Sequence, residues 1–297
     1  MLRHGIGHGL SRSRIQRLVA EGRISINGRR ATRPAQRLRT GDRVSVDTGP
    51  ARPRPRPQPE SLPLVVLHED ADLLVVNKPP GQVAHPSYRN RSGTLLNALL
   101  GRAASGVGWE PHLVQRLDKG TSGLLLVAKS RAMQTALQEA ALVKEYLALV
   151  WGRPSPAAGR IDSPLGRDPL DRRRVMPSTE GAGAITEYRT LARTRGRATG
   201  LSLLCCRLVT GRTHQLRVHL ADRGWPLVGE QVYKVQTRLR LADPRLHRAA
   251  TSFERQALHA WRLAFLHPRT GEAVRLQADR PEDLQRLLDS LGLRVPA

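Results

Sequence analysis

Several things that a chain of 297 residues usually carries are scarce in this one, and each shortage excludes something. Cysteine is confined to the adjacent pair Cys205 and Cys206, so neither a disulfide framework nor a Cys-x-x-Cys zinc site is available. Aromatic residues make up 3% of the chain, too few for a platform on which many bases stack. No run reaches the ~18 apolar residues of a membrane span, and the N-terminus lacks the basic-then-apolar pattern of a secretion signal. His-Glu-x-x-His is absent, which disfavours a metal enzyme. The expectation is a cytoplasmic protein without membrane attachment, metal or cofactor.

Positive charge is abundant. There are 49 Lys and Arg against 25 Asp and Glu, a formal charge of +24, while 39% hydrophobic residues suffice for a core. A compact chain so charged repels itself, and a polyanion whose counterions are released on binding relieves that repulsion. A GC-rich genome writing Arg at tolerant surface positions would give the same total, so distribution decides. Residues 1–60 hold 14 Arg against four acids, net +10, and the rest of the chain nets only +14. Nucleic acid is the expected partner, held mainly by the N-terminal fifth.

Pro50, Pro53, Pro55, Pro57, Pro59 and Pro63 punctuate residues 49–63, which can neither pair as a central strand nor continue a helix. This stretch reads as a linker between residues 1–48 and 64–297. Before it, Ile15, Leu18 and Val19 share one helical face, with Ser11 or Ser13 as N-cap. Ile24-Ser-Ile26 then alternates into Asn27-Gly28, a strong hairpin signal, and Val44-Ser-Val46 suggests another strand. LSRSRIQRLVAEGRISINGRRA followed by GDRVSV resembles the S4-like RNA-binding module. That resemblance makes Arg12, Arg14, Arg17, Arg29 and Arg30 the RNA-binding candidates. Only ten residues precede the Ser-Arg-Ser segment, fewer than the module usually has, so either the first helix is shortened or the start of the chain is misassigned.

After the linker, Leu64–Leu67 and Leu73–Val76 read as strands around a turn, Leu124–Val127, Tyr146–Val150 and Leu201–Val209 as further strands, and Arg131–Val143 as a helix. Pro281–Leu291 reads as a C-terminal helix. Strands and helices mix without regular alternation, which predicts the α+β class.

Asp118 stands in QRLDKGTSG, far from any other acid in sequence, so a local carboxylate pair for acid-base hydrolysis is absent. Its neighbours Arg116 and Lys119 favour an ionised carboxylate able to act as nucleophile or electrostatic partner, although an isolated Asp in such a loop is more often a turn residue. Gly211-Arg-Thr-His-Gln-Leu-Arg217 follows a strand and opens a helix. Gly211 at the turn and Thr213 at the cap would let Arg212, Arg217 and backbone N–H groups face an anion. His214 and His219, five apart, fall on different helical faces and share no metal.

NKPPGQVAHP, TLLNAL, RLDKGTSGLLLVAKS, KEYLALVWG, TGRTHQLRVHL, GWPLVGEQVY and LHAWRLAFLHPRTG, in that order, resemble the RluA-type pseudouridine synthases. The resemblance implies a mixed, mainly antiparallel sheet. It also implies isomerisation of uridine in structured RNA, most commonly large-subunit ribosomal RNA with transfer RNA as the other candidate, by a monomer without cofactor or metal. Asp118 matches the family's essential aspartate, whether it attacks uracil, attacks ribose or abstracts a proton. Tyr146 matches the tyrosine that stacks on the uracil and is a candidate base, and Arg217 the cation that pairs with the aspartate. Arg116 matches the residue that fills the space of a flipped nucleotide; Arg212, His214, Gln115 and His85 are further substrate-binding candidates, and Lys78 is structural. Gln115 departs from the family, which has His before Arg-Leu-Asp, and a Gln there cannot titrate. That departure motivates the alternative of a non-catalytic ribosome-assembly factor retaining the fold.

Overall fold

The computed structural model describes residues 12–47, 56–87, 90–106, 108–171, 173–195, 200–233 and 241–295. The chain divides after Arg56 into two units.

In the first unit, α1 (Arg12–Ala20) is followed by β1 (Ile24–Ile26), β2 (Arg29–Arg30) and β3 (Val44–Val46), with β1 central in an antiparallel sheet. Asn27 and Gly28 both have positive φ, 52° and 79°, as a two-residue hairpin turn requires. Asn27 also fixes β3: its side chain accepts from the Arg43 N–H at 2.9 Å and donates to Asp42 at 2.7 Å. Ile15, Leu18 and Val19 close on Ile24, Ile26 and Ala31. Because that face is buried, Arg14, Arg17, Arg29 and Arg30 are left exposed. The expected cap Ser11 and the side chains of Arg12 and Ser13 lie outside the described residues.

The second unit begins earlier than the proline pattern suggests. Residues 57–63, assigned to the linker on composition, are tied to α2 (Leu95–Ala104) and the turn before it. Asn97 Nδ2 donates to the Gln58 carbonyl at 2.7 Å, Gly93 N–H donates to the Glu60 carboxylate at 2.9 Å, and a Cβ on Gly101 would lie 2.2 Å from the Glu60 carbonyl oxygen. Proline forbids pairing as a central strand; it does not forbid an extended strap packed on a helix.

The remaining elements are β4 (Val66–Glu69), β5 (Leu73–Lys78), β6 (His112–Leu113), β7 (Ser122–Ala128), α3 (Arg131–Glu139), β8 (Val143–Trp151), β9 (Ala158–Asp162), β10 (Leu165–Arg167), β11 (Val175–Pro177), β12 (Ile185–Arg193), β13 (Leu201–Leu208), α4 (Gln215–Asp222), α5 (Pro244–Thr251), β14 (Leu258–Leu266), β15 (Ala273–Gln277) and α6 (Glu282–Ser290). Ten of the strands form one sheet with the path β4-β5-β7-β14-β8-β13-β12-β9, β6 added to β7 and β15 to β14. Among the described residues only β7 and β14 pair in parallel. The expected helix over 131–143 ends at Glu139, because Ala140 turns to extended backbone and Val143 already opens β8.

Alternation sorts the sheet residues into two cores. Tyr146, Ala148 and Val150 of β8 join Leu204 and Cys206 of β13 beneath Leu95, Leu99, Leu137, Leu216 and Leu220 from α2, α3 and α4. Leu147, Leu149 and Trp151 point the other way, with Leu203 and Cys205, onto Ala250 of α5 and Leu284, Leu287 and Leu288 of α6. The sheet is thus covered by helices on both faces, and its strands β5, β7, β8 and β13 read as apolar runs for that reason.

Where β7 and β14 run side by side the backbones approach too closely for a side chain. Gly123 has φ of 109°, and a Cβ there would sit 2.1 Å from the Ala260 carbonyl oxygen. Gly123→Ala combines positive-φ strain with overpacking and should lose about 2–4 kcal/mol of stability, measured by denaturant unfolding. A loss below about 1 kcal/mol would show that the two strands can separate freely at this point.

Candidate active site

Asp118 lies on the loop between β6 and β7, and that loop is held at successive carbonyls. The Lys119 carbonyl accepts from Gly81 N–H at 2.8 Å, and the Gly120 carbonyl from Arg255 Nη1 at 2.9 Å. Lys78, fully buried at the end of β5, donates from Nζ to the carbonyls of Pro79 at 2.8 Å, Gln82 at 2.9 Å and Lys119 at 3.4 Å. Burial, reinforced by the nearby Arg255 charge, pulls the Lys78 ammonium down to about 7, while Asp118 opposes the shift.

The second contributor is the turn into α4. His214, not Thr213, occupies the helix N-cap, with φ of 56° and no side-chain cap bond. Gln215 does the holding instead: its Oε1 accepts from Arg212 N–H at 2.9 Å and from the Thr210 hydroxyl at 2.8 Å. The Arg212 N–H is therefore engaged within the turn. One helical turn later Arg217 donates from Nη1 to Asp118 Oδ2 at 3.0 Å.

Arg217 is shared. Its Nε and Nη2 donate to the two oxygens of Glu230 at 2.8 and 2.7 Å, and Glu230 also accepts from Val232 N–H at 2.8 Å. Burial alone would raise the Glu230 carboxyl, but the Arg217 bonds and charge outweigh it and hold the group below the usual carboxylate range. The set Asp118, Arg217 and Glu230 carries two negative charges and one positive. A guanidinium so divided orients Asp118 without fully neutralising it.

A parallel arm reaches the other oxygen. Tyr233 accepts from Val175 N–H at 3.1 Å, and its hydroxyl lies 2.6 Å from His214 Nδ1. With the phenol donating to Nδ1, the imidazole proton sits on Nε2, 3.7 Å from Asp118 Oδ1. Among the described residues Oδ1 accepts no hydrogen bond, so the two carboxylate oxygens are inequivalent: one anchored, one available. Sequence reading missed Glu230 and Tyr233, although both stand in the GEQVY block.

Asp118, Arg116, Lys119, His85, Arg212 and His214 line a cleft of about 270 Å3. Arg116 and His85 are exposed at it, and Asp118 is 27% exposed. Arg217 lies behind Asp118. Tyr146 is buried in the adjoining core; burial, then the Asp118 charge, pushes its phenol up, so it is neutral at ordinary pH. Gln115 does not line the cleft, and its amide donates to the Leu124 carbonyl at 3.4 Å. His219 is buried with one ring nitrogen 3.0 Å from the Ser163 carbonyl and the other 3.0 Å from Thr186 Oγ1, a packing role.

The family pattern described as RNA pseudouridylate synthase matches residues 72–222, and that of the S4 domain matches residues 6–44. The chain is 40% identical over 294 residues to ribosomal large subunit pseudouridine synthase D of Xanthomonas campestris, covering 95% of this chain and 85% of that protein. It is 38% identical over 289 residues to an uncharacterized RNA pseudouridine synthase of Bacillus subtilis, covering 95% and 89%. The chain belongs to the RNA pseudouridylate synthase family. Human RNA pseudouridylate synthase domain containing 4 shares the fold with a TM-score of 0.63 at 26% identity, over 78% of this chain and 95% of that one. The span matched by the synthase pattern contains Asp118, Tyr146 and Arg217 and stops short of Glu230 and Tyr233.

In this pseudouridine synthase His214 gives the site a pH dependence. Burial lowers its pKa below 6.5, more than Asp118 raises it, so the ring is neutral at neutral pH and gains its proton only on acidification. A second cation then faces Oδ1. Activity should therefore fall as pH drops below 6.5, and His214→Gln should weaken that acid limb. An unchanged pH profile in the variant would remove His214 from the account.

A second cluster of acids lies elsewhere in the synthase unit. Asp70, Asp72 and His267 gather ligand-type atoms within 4.8 Å. His267 Nδ1, however, accepts from the N–H groups of Arg269 and Thr270, both at 3.2 Å, so its Nε2 carries the proton and faces the carboxylates at 3.5 and 3.6 Å. Arg269 occupies Asp72. This is an ion-pair cluster joining the β4–β5 and β14–β15 turns. Among the described residues no helix is long and apolar enough to cross a membrane.

Proposed function

We propose that this synthase converts specific uridines of large-subunit ribosomal RNA to pseudouridine, with Asp118 as the reacting carboxylate and the target nucleotide turned out of its stack. The carrying observation is the inequivalent pair of oxygens on Asp118: Oδ2 fixed by Arg217, Oδ1 unbonded beside the cleft. The reaction breaks the N1–C1′ glycosidic bond, joins C1′ to C5 of the same uracil, releases the C5 proton and leaves a proton on N1. No electron is gained or lost. A neutral buried Tyr146 suits stacking on the base better than proton removal. Arg116, exposed at the cleft, is suited to fill the vacated stack, offsetting an unstacking cost of a few kcal/mol.

The names of the relatives support ribosomal RNA, and the exposed arginines of the S4 unit supply affinity that does not depend on sequence. The protein acts as a cytoplasmic monomer in this reading. Gln115 sits away from the cleft lining, so its replacement of the family's His leaves the reacting groups in place. For that reason the non-catalytic alternative is not favoured.

The test is tritium release from RNA carrying tritium at C5 of uridine. Release from large-subunit ribosomal RNA is expected; release from transfer RNA alone would redirect the substrate, and none from any cellular RNA would overturn the proposal.

A further inference from the structure

The hairpin β10–β11 stands outside the main sheet and forms a second cleft with the turn before α4. This cleft measures about 240 Å3 and is lined by Arg167, Arg173, Val175, Arg212 and Thr213. Arg212 and Thr213 also line the Asp118 cleft, so one turn is the common wall of both. Three arginines and no acidic residue line this space among the described residues, and the Arg173 guanidinium is itself held by Asp171.

The acids nearest in sequence are occupied by the hairpin itself. Asp168 Oδ1 accepts from the N–H groups of Leu170 at 2.8 Å and Asp171 at 3.3 Å. Asp171 receives Nε and Nη2 of Arg173 at 2.9 and 3.0 Å. Arg212 is steadied by its Nε bond to the Gly183 carbonyl at 3.1 Å. The hairpin is also connected to the reacting group: Val175, in the cleft wall, donates to Tyr233, which bonds His214 opposite Asp118.

We propose that this second cleft holds a backbone phosphate of the RNA strand whose uridine occupies the first, so that the hairpin sets the strand's register against Asp118. The inference rests on the RNA reading above and adds a subsite to it. A phosphate matches the chemistry, because guanidinium forks bind its oxygens with short, charge-assisted bonds and each such contact releases counterions. The shared wall places that phosphate beside the nucleotide being modified.

The test measures binding of the full chain to the same ribosomal RNA transcript over a range of KCl concentrations, for wild type, Arg167→Gln, Arg173→Gln and Asp171→Asn. The first two should raise Kd about tenfold. Each should also make the log Kd against log salt slope shallower by about 0.7–1. In turnover, KM should rise more than kcat falls. Asp171→Asn should act in the opposite sense and tighten binding, because it releases Arg173 toward the cleft and removes a negative charge. Wild-type Kd and slope in both arginine variants would overturn the inference. So would Asp171→Asn weakening RNA as Arg173→Gln does, since that would assign Arg173 to holding the loop. Tritium release by the wild type is followed in the same preparation: its absence defeats the functional reading, whereas release with unaltered slopes defeats the subsite alone.

Discussion

Asp118→Asn protein should bind ribosomal RNA as wild type does and release tritium at a rate lower by about 10⁴-fold or more, the scale on which removal of a reacting group acts. The change keeps size and shape while discarding the charge. It should also leave the fold intact, for a reason specific to this site. Arg217 is bonded to Glu230 through two of its nitrogens, so losing Asp118 leaves a balanced buried pair and no orphaned cation. Thermal unfolding close to wild type, with RNA affinity retained and release abolished, is the expected combination. Release near the wild-type rate would assign the chemistry to another group.

Glu230→Gln should do the opposite damage. Glu230 is buried and accepts two of the three Arg217 side-chain hydrogen bonds, and breaking such a pair typically costs about 3–5 kcal/mol, here toward the lower end because Asp118 still faces the guanidinium. Freed from its partner, Arg217 turns its whole charge on Asp118, and His214 loses the Glu230 charge that favours its protonated form. The prediction is a lower thermal midpoint, a kcat reduced about 10–100-fold with KM little changed, and an acid limb of the pH–rate profile moved to lower pH. Lost stability with an unmoved acid limb would reduce Glu230 to a packing role.

Asp118 and Arg217 are 99 positions apart, and no spacing rule joins them; the RLDKGTSG and GRTHQLR blocks were legible through their resemblance to a family. Glu230 escaped because its partner lies 13 residues away across a turn, with no helical or strand periodicity to suggest the meeting. Elements were legible where alternation or helical spacing is unbroken, as at β1 and α1, or where an apolar run fills a strand buried on both faces, as at β7 and β13. Strand β14 was hidden as a strand because its register shifts between Ala260 and Arg262, which interrupts the period of two in LHAWRLAFL. The same kind of interruption lies in β12, between Thr190 and Ala192. The strap over residues 57–63 was misassigned because composition reports what a segment cannot pair with, and the groups that hold it, Asn97 and Gly93, belong to a distant stretch of chain.

Cys205 and Cys206 are neighbours in β13 but belong to different cores, one beneath α5 and α6, the other beneath α2, α3 and α4. Burial, with the Glu145 charge, pushes the Cys205 thiol up to about 11, and burial pushes Cys206 higher still. Neither is available to an alkylating reagent while the fold is closed. Two adjacent residues therefore act as separate clocks: labelling of Cys205 times the lifting of one helical layer, and labelling of Cys206 times the other. Pulsed alkylation read by mass spectrometry would tell which side of this sheet opens first.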